Sequence, residues 1–152
     1  LSADMAAALI TFYFAGITLG RFFSGLLSLK FSDWKIIILG QSAILIAVCI
    51  LLLTDRTEPA VFGLFLIGLG NGPVFPNMTH LTPVLYKKET SQSIIGIEMA
   101  FSNLSIMLTP VLFGFVSGIW GTEIFPVFLA VMFVLMAGCT IVLKIGDSKS
   151  RR

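Results

Sequence analysis

Long apolar segments alternate with short polar ones along the chain. The apolar segments cover residues 5–28, 36–54, 60–80, 92–116 and 124–143, and each contains at most one charged residue. A helix needs about 20 largely apolar residues to cross a hydrocarbon core of about 30 Å, and backbone groups in lipid must be paired internally. The pattern therefore predicts an all-α, polytopic membrane helix bundle of five transmembrane helices, followed by a polar tail at 144–152.

The composition agrees with lipid as the solvent. Of the 152 residues, 57% are hydrophobic and 12% are charged, whereas about 25% are charged in an ordinary soluble domain. Cys49 and Cys139 lie at different depths of two apolar segments, and no metal-type spacing surrounds them. We expect no metal site and no cofactor. No basic run interleaved with aromatic residues points to nucleic acid.

The basic residues predict the orientation of the helices, because Lys and Arg accumulate in loops on the cytoplasmic side. Arg56 would lie on one side of the membrane. The other side would hold eight basic residues, namely Lys30, Lys35, Lys87, Lys88, Lys144, Lys149, Arg151 and Arg152. This asymmetry predicts a multi-pass protein of the cell membrane with residue 1 outside and the C-terminus in the cytoplasm.

The predicted helices differ in polarity. The second and fifth are apolar around almost their whole circumference, which is typical of outer, lipid-facing helices. The first, third and fourth carry the glycines, amides and intramembrane charges, so we expect them to face an interior or a cavity. Gly16 and Gly20 form a small-xxx-small pair, continued by Gly25, that would allow a neighbouring helix to approach closely.

Two amides and an aromatic residue are candidates for a solute pocket. Residues 68–77 combine three glycines, two prolines and two amides, which predicts either a structural kink or an unwound segment that exposes backbone polar groups. Counting along the third and fourth helices places Asn71 and Asn103 near the same depth. They could bind a hydroxyl-rich solute together with Phe75, or could hydrogen-bond between helices.

The two intramembrane charges, Arg21 and Glu98, are predicted at matching depths near the cytoplasmic ends of their helices. A lone charge there costs roughly 2.5 kcal/mol or more, so they are candidates for a charge pair, or each has a partner elsewhere. A poorly hydrated Glu98 would also be a candidate proton carrier. In the competing interpretation Arg21 extends to the headgroups and Glu98 supports packing. His80 is interpreted as an interfacial, hydrogen-bonded histidine.

Three segments resemble the major facilitator superfamily. Residues 14–30, FAGITLGRFFSGLLSLK, resemble its eighth helix, with Gly25, Leu27, Ser28 and Lys30 fitting its loop motif, while Leu29 stands at the position of the acid. The stretch GLFLIGLGNGPVFPNMTHLTP resembles the tenth helix and SQSIIGIEMAFSNLSIMLTPVLFGFVSG the eleventh helix of sugar permeases similar to the fucose-proton symporter.

The resemblance implies that the chain is the C-terminal half of a twelve-helix transporter, covering helices eight to twelve. It further implies proton-coupled alternating access for a small polar solute, with sugar as the expected class. The chain begins with Leu1 and has no signal-peptide pattern. We therefore expect the missing N-terminal helix bundle of the same chain to lie upstream and to be needed for transport.

Two other functions are compatible with the pattern. The first is a non-transporting five-helix membrane protein that acts as an assembly partner or is a truncated relic. The second is an intramembrane enzyme using Glu98 and His80, but the sequence offers no nucleophile or metal set around them. We therefore expect no catalytic residues.

Overall fold

Five long α-helices make up most of the chain. The structure, a computed structural model, describes the backbone of residues 3–54, 57–86 and 88–150, and the side chains of residues 7–54, 58–86 and 90–148. The helices are α1 (Ala3–Leu27), α2 (Asp33–Leu53), α3 (Thr57–Leu85), α4 (Lys88–Trp120) and α5 (Phe125–Ser150), with a 3-10 turn at Thr122–Ile124 before α5. All five are long and apolar enough to cross a membrane. The predicted all-α membrane bundle is confirmed.

The helices extend beyond the apolar spans predicted for them. The third span was placed at 60–80, but α3 continues to Leu85, and α5 includes the first part of the tail predicted at 144–152. Hydrophobicity marks the part of a helix that lies in hydrocarbon, whereas a helix can continue into water. The predicted orientation depends partly on Arg56, Lys87, Arg151 and Arg152, which lie outside the described residues, so the orientation stays a prediction.

Helix α3 is continuous through residues 68–77, so of the two predicted alternatives, a structural kink or an unwound segment, the unwound segment is wrong. Its helical backbone includes Pro73, Pro76 and Pro83. A proline removes one backbone hydrogen bond, but membrane helices tolerate this where side chains satisfy the freed groups. Nδ2 of Asn77 donates a further 2.6 Å hydrogen bond to the carbonyl oxygen of Pro73. The prolines therefore do not interrupt α3.

The chain divides into two compact units, residues 1–78 and residues 79–152. In the first unit, α1 and α2 both pack on α3 through glycine. A Cβ atom on Gly20 would overlap the backbone of Leu69, and one on Gly40 would lie 2.5 Å from the carbonyl oxygen of Gly70. A Cβ atom on Gly72 would lie 2.6 Å from the carbonyl oxygen of Ile17. These positions require glycine because the helix backbones approach each other directly.

The glycine stripe of α1 differs in one position from the prediction. Gly16 and Gly20 face the α3 backbone as expected, but a Cβ atom on Gly25 would meet nothing within 4 Å. The stripe continues instead at Ser24, which is 6% exposed. Residues 16, 20 and 24 follow a four-residue spacing along one helix face, and the next residue is rotated by about 100°. Small size and helical period together define this contact face.

In the second unit, α4 and α5 form a helical hairpin around Gly121. This glycine has φ of 81° and donates its N–H to the carbonyl oxygen of Ser117 over 2.9 Å. Phe113 of α4 packs against the rings of Phe125 and Phe128 of α5, with centroids 5.4 and 5.3 Å apart. The connection between the two helices is shorter than the interval 117–123 between the predicted apolar segments, because α4 continues to Trp120.

The helices that are buried in the structure are not all the ones that their polarity predicted to face inward. Helix α2, expected to be an outer helix, buries one face that includes Ile37 and Ala47, while Leu39 and Leu53 on other faces are exposed. Helix α4, expected to face inward, has no buried residue in the most apolar stretch of its span. Polarity indicates which face of a helix avoids lipid, but it does not indicate which other helix covers that face.

Candidate substrate and coupling sites

An amide and a phenol meet in the first unit. Nδ2 of Asn71 on α3 lies 3.4 Å from the hydroxyl oxygen of Tyr13 on α1 and donates to it. Asn71 is exposed, so its carboxamide oxygen and second N–H are open to a further partner. Tyr13 was not among the residues predicted for this site. A phenol on an inward-facing helix at the same depth as the amide is the signal that could have identified it.

Phe75 lies one turn beyond Asn71 on α3. Residues at this spacing share a helix face, and the Phe75 side chain is 37% exposed. Ligand pockets combine apolar and aromatic surfaces with a few placed polar groups. The structure thus places Asn71 and Phe75 on one accessible strip of α3, with the Tyr13 hydroxyl beside the amide.

Asn103 is exposed on α4, in the second unit. It follows Glu98 by five residues, which turns a helix by about 140°, so the two side chains leave α4 on different faces. The predicted convergence of Asn103 with Asn71 stays a prediction, because the two residues belong to different units.

Glu98 has a partner that the sequence reasoning missed. The hydroxyl of Thr82 on α3 donates a 2.7 Å hydrogen bond to Oε1 of Glu98. Thr82 is 2% exposed and Glu98 is half-buried. Thr82 and Thr79 are three residues apart and therefore lie on one face of α3. Two hydroxyl residues at this spacing in an apolar helix are the signal that could have revealed the contact.

Two buried polar atoms accompany this hydrogen bond. Oε2 of Glu98 and Oγ1 of Thr79 have no hydrogen-bond partner among the described residues. An unsatisfied buried polar atom costs about 1–3 kcal/mol, and more when it is charged. The structure therefore leaves one carboxyl oxygen of Glu98 and the Thr79 hydroxyl buried without a hydrogen-bond partner among the described residues.

Arg21 is exposed on α1, in the first unit, and its backbone lies against α3 opposite Gly72. The predicted pairing of Arg21 with Glu98 joins two different units and stays a prediction. His80 is exposed on α3. Among the described residues, no group of three or more His, Cys, Asp or Glu side chains is placed to hold a metal ion.

Comparison with known proteins adds one finding to this geometry. A family model described as Major Facilitator Superfamily matches residues 1–152. No curated protein and no solved structure matches the chain. The family match extends over all five helices.

Proposed function

The chain belongs to the Major Facilitator Superfamily, and from this premise we propose that it forms part of a proton-coupled secondary transporter for a small polar solute of the sugar class. Family membership supports transport of a solute across a membrane. The sugar class and the coupling to protons are the specific parts of the proposal. They rest on two groups of side chains, one in each unit.

The solute would bind at the strip formed by Asn71 and Phe75. A carboxamide both donates and accepts hydrogen bonds, which matches a hydroxyl group, and an aromatic ring covers the apolar face of a sugar ring. The 3.4 Å contact with Tyr13 orients the Asn71 amide. Asn103 would contribute a second amide from α4.

Coupling is carried by one observation, the half-buried carboxyl of Glu98. Thr82 supplies a donor to one of its oxygens, and the other oxygen is buried with no partner among the described residues. An acid inside a membrane helix is expensive to keep charged, so its presence at this position favours a functional role. Arg21 would provide the compensating charge in one conformation of the transport cycle.

Alternating access requires a second helix bundle around a central site. We propose that the five helices correspond to helices eight to twelve of a twelve-helix protein, with residue 1 outside and the C-terminus in the cytoplasm of the cell. An N-terminal bundle of that twelve-helix protein would complete the solute pocket. The two bundles would then rock about the bound solute, driven by a proton gradient.

Uptake into proteoliposomes tests this proposal. The natural full-length protein would be assayed against a panel of sugars, with and without an inward proton gradient. We expect one sugar to accumulate only with the gradient. Glu98→Gln should abolish accumulation but retain exchange of labelled for unlabelled sugar, because exchange needs no net proton movement.

The matched control is Glu123→Gln, which removes an exposed acid in the α4–α5 turn and should leave accumulation unchanged. Accumulation by Glu98→Gln with the same pH dependence as the unmodified protein would remove Glu98 from coupling. Transport of another solute class with no response to any sugar would refute the sugar assignment.

A further inference from the structure

A groove of about 740 Å³ runs along the first unit between α1 and α2, with α3 as its floor. Its walls include Phe23 and Leu27 of α1 and Leu39 and Ala43 of α2, and its floor includes Pro73. The volume lies within the range of roughly 300–1,000 Å³ that is usual for ligand pockets. It is separate from the contacts made by Asn71 and Glu98.

The groove exists because α3 packs tightly against both neighbours. Gly20 and Gly40, which both line the groove, bring α1 and α2 into direct contact with the α3 backbone at Leu69 and Gly70. Helices α1 and α2 thus border α3 on either side, and the space between α1 and α2 remains open over the surface of α3.

The lining selects an apolar occupant. The hydroxyl of Ser24 already accepts a 2.7 Å hydrogen bond from Nδ2 of Asn77, and that of Ser42 donates a 2.8 Å bond to the carbonyl oxygen of Ile38. Leu39 and Ile46 are 60% and 55% exposed. A sugar would leave its hydroxyl groups without partners here, whereas a hydrocarbon chain would cover these side chains.

The position of the charge indicates which hydrocarbon fits. Among the described residues that line the groove, Lys30 at one end is the charged one. Lys30 is held just beyond α1 by a 3.0 Å bond from its N–H to the carbonyl oxygen of Leu27. A basic side chain at the end of a groove between transmembrane helices favours an anionic lipid headgroup.

The length of the groove fits one leaflet of the bilayer. Along α2 it extends from Ile36 to Ile46, a distance of roughly 15 Å at the helical rise. This is about half of a hydrocarbon core of about 30 Å. A transmembrane helix would need contact along the full thickness, but a single acyl chain needs only half of it.

We propose that this groove binds one anionic phospholipid, with an acyl chain between α1 and α2 and its phosphate on Lys30. The inference goes beyond the transport function and does not depend on it. The lipid would fill a space that α1, α2 and α3 leave open, and its headgroup would fix the lipid at the end of α1.

Native mass spectrometry of the full-length protein tests this site. The protein would be exchanged into detergent with equal amounts of phosphatidylglycerol and phosphatidylcholine that carry the same acyl chains. We expect retention of one phosphatidylglycerol with about fivefold preference, since one basic residue contributes about that factor at a membrane surface. Lys30→Gln should remove the preference, and Lys35→Gln, a neighbouring lysine outside the groove lining, should keep it.

Filling the groove tests the acyl-chain part. Ala43→Phe and Ser42→Phe should each reduce retention of both lipids at least fivefold. Two variants are used so that a folding defect in one of them does not decide the result. A photoreactive amino acid at position 43 should crosslink to lipid. Crosslinks to another helix of the same protein, or equal phosphatidylglycerol retention in the wild type, Lys30→Gln and Ala43→Phe, would overturn the proposal.

Discussion

The hydroxyl of Thr82 donates a 2.7 Å hydrogen bond to Oε1 of Glu98, and this bond joins α3 to α4 in the second unit. The donor is almost completely buried, at 2% exposure, so the bond is shielded from competing solvent. It gives the intramembrane carboxyl a fixed orientation and leaves its second oxygen for a different partner.

Removing this donor should impair coupling without removing the acid. Thr82→Val keeps the side-chain volume but leaves the carboxylate with one donor fewer, which costs about 1.5–3 kcal/mol for a hydrogen bond to a charged group. We expect gradient-driven uptake by the full-length protein to slow about tenfold or more. Thr82→Ser, which keeps the hydroxyl, should stay close to the wild-type rate, and equal rates for the two variants would contradict the role of the bond.

The glycine contacts of α1 should be intolerant of even one methyl group. Gly20→Ala places a Cβ atom against the backbone of Leu69, so the helices must separate, at a cost of roughly 1–3 kcal/mol. Gly25→Ala is the matched control, because its Cβ atom would meet nothing within 4 Å and alanine favours the helix. The free energy of unfolding of each variant, measured in detergent, gives the effect of each substitution. Equal destabilisation by the two substitutions would exclude a specific contact at Gly20.

The buried bond between Ser24 and Asn77 should appear as a coupling energy. Asn77 is 4% exposed and donates to the Ser24 hydroxyl at 2.7 Å. A double-mutant cycle with Ser24→Ala and Asn77→Ala should give about 0.6 kcal/mol, the average for such bonds in membrane helices.

Thr18→Val provides the control for that cycle. Its hydroxyl bonds to the carbonyl oxygen of Phe14 in the same helix, so its coupling to Asn77 should be close to zero. A coupling with Asn77 as large as that of Ser24 would show that the cycle reports general loosening of the unit.

The strip on α3 should determine solute affinity. Asn71→Ala removes both hydrogen-bonding atoms of the amide, and each neutral hydrogen bond contributes about 0.5–1.5 kcal/mol. We expect the KM for the transported sugar to rise about tenfold, with a similar rise for Phe75→Ala. Gln92→Ala removes an exposed amide near the start of α4 and should leave the KM unchanged. An unchanged KM in Asn71→Ala would exclude the amide from the pocket.

The sequence predicted the helices well because hydrophobicity alone reports their number. It predicted contacts less well, since a contact depends on the direction in which each residue points around the helix axis. Gly25 matches Gly16 and Gly20 in size but lies off their face, and Ser24 takes the position in the structure. Proline and glycine content left a kink and an unwound segment as alternatives for residues 68–77, and the structure shows helix throughout.

The surroundings of Glu98 show the same limit. Glu98 stands out in an apolar segment because it is charged, so the sequence alone singles it out as a candidate. Thr82 is sixteen residues away on another helix, and its spacing from Thr79 indicates a shared face of α3 but not the helix that this face contacts. Its role depends on which face of α3 meets α4, and that information comes from tertiary packing.

The glycine contacts of α3 have a consequence for biogenesis. The first two helices enter the bilayer before α3 has been synthesised, and their narrow glycine strips then face acyl chains that cannot fit them as closely as a helix backbone does. When the nascent chain has emerged from the ribosome only as far as residue 54, α1 and α2 lie in the membrane without α3. When residue 85 has emerged, both helices can dock on α3 through their glycine contacts.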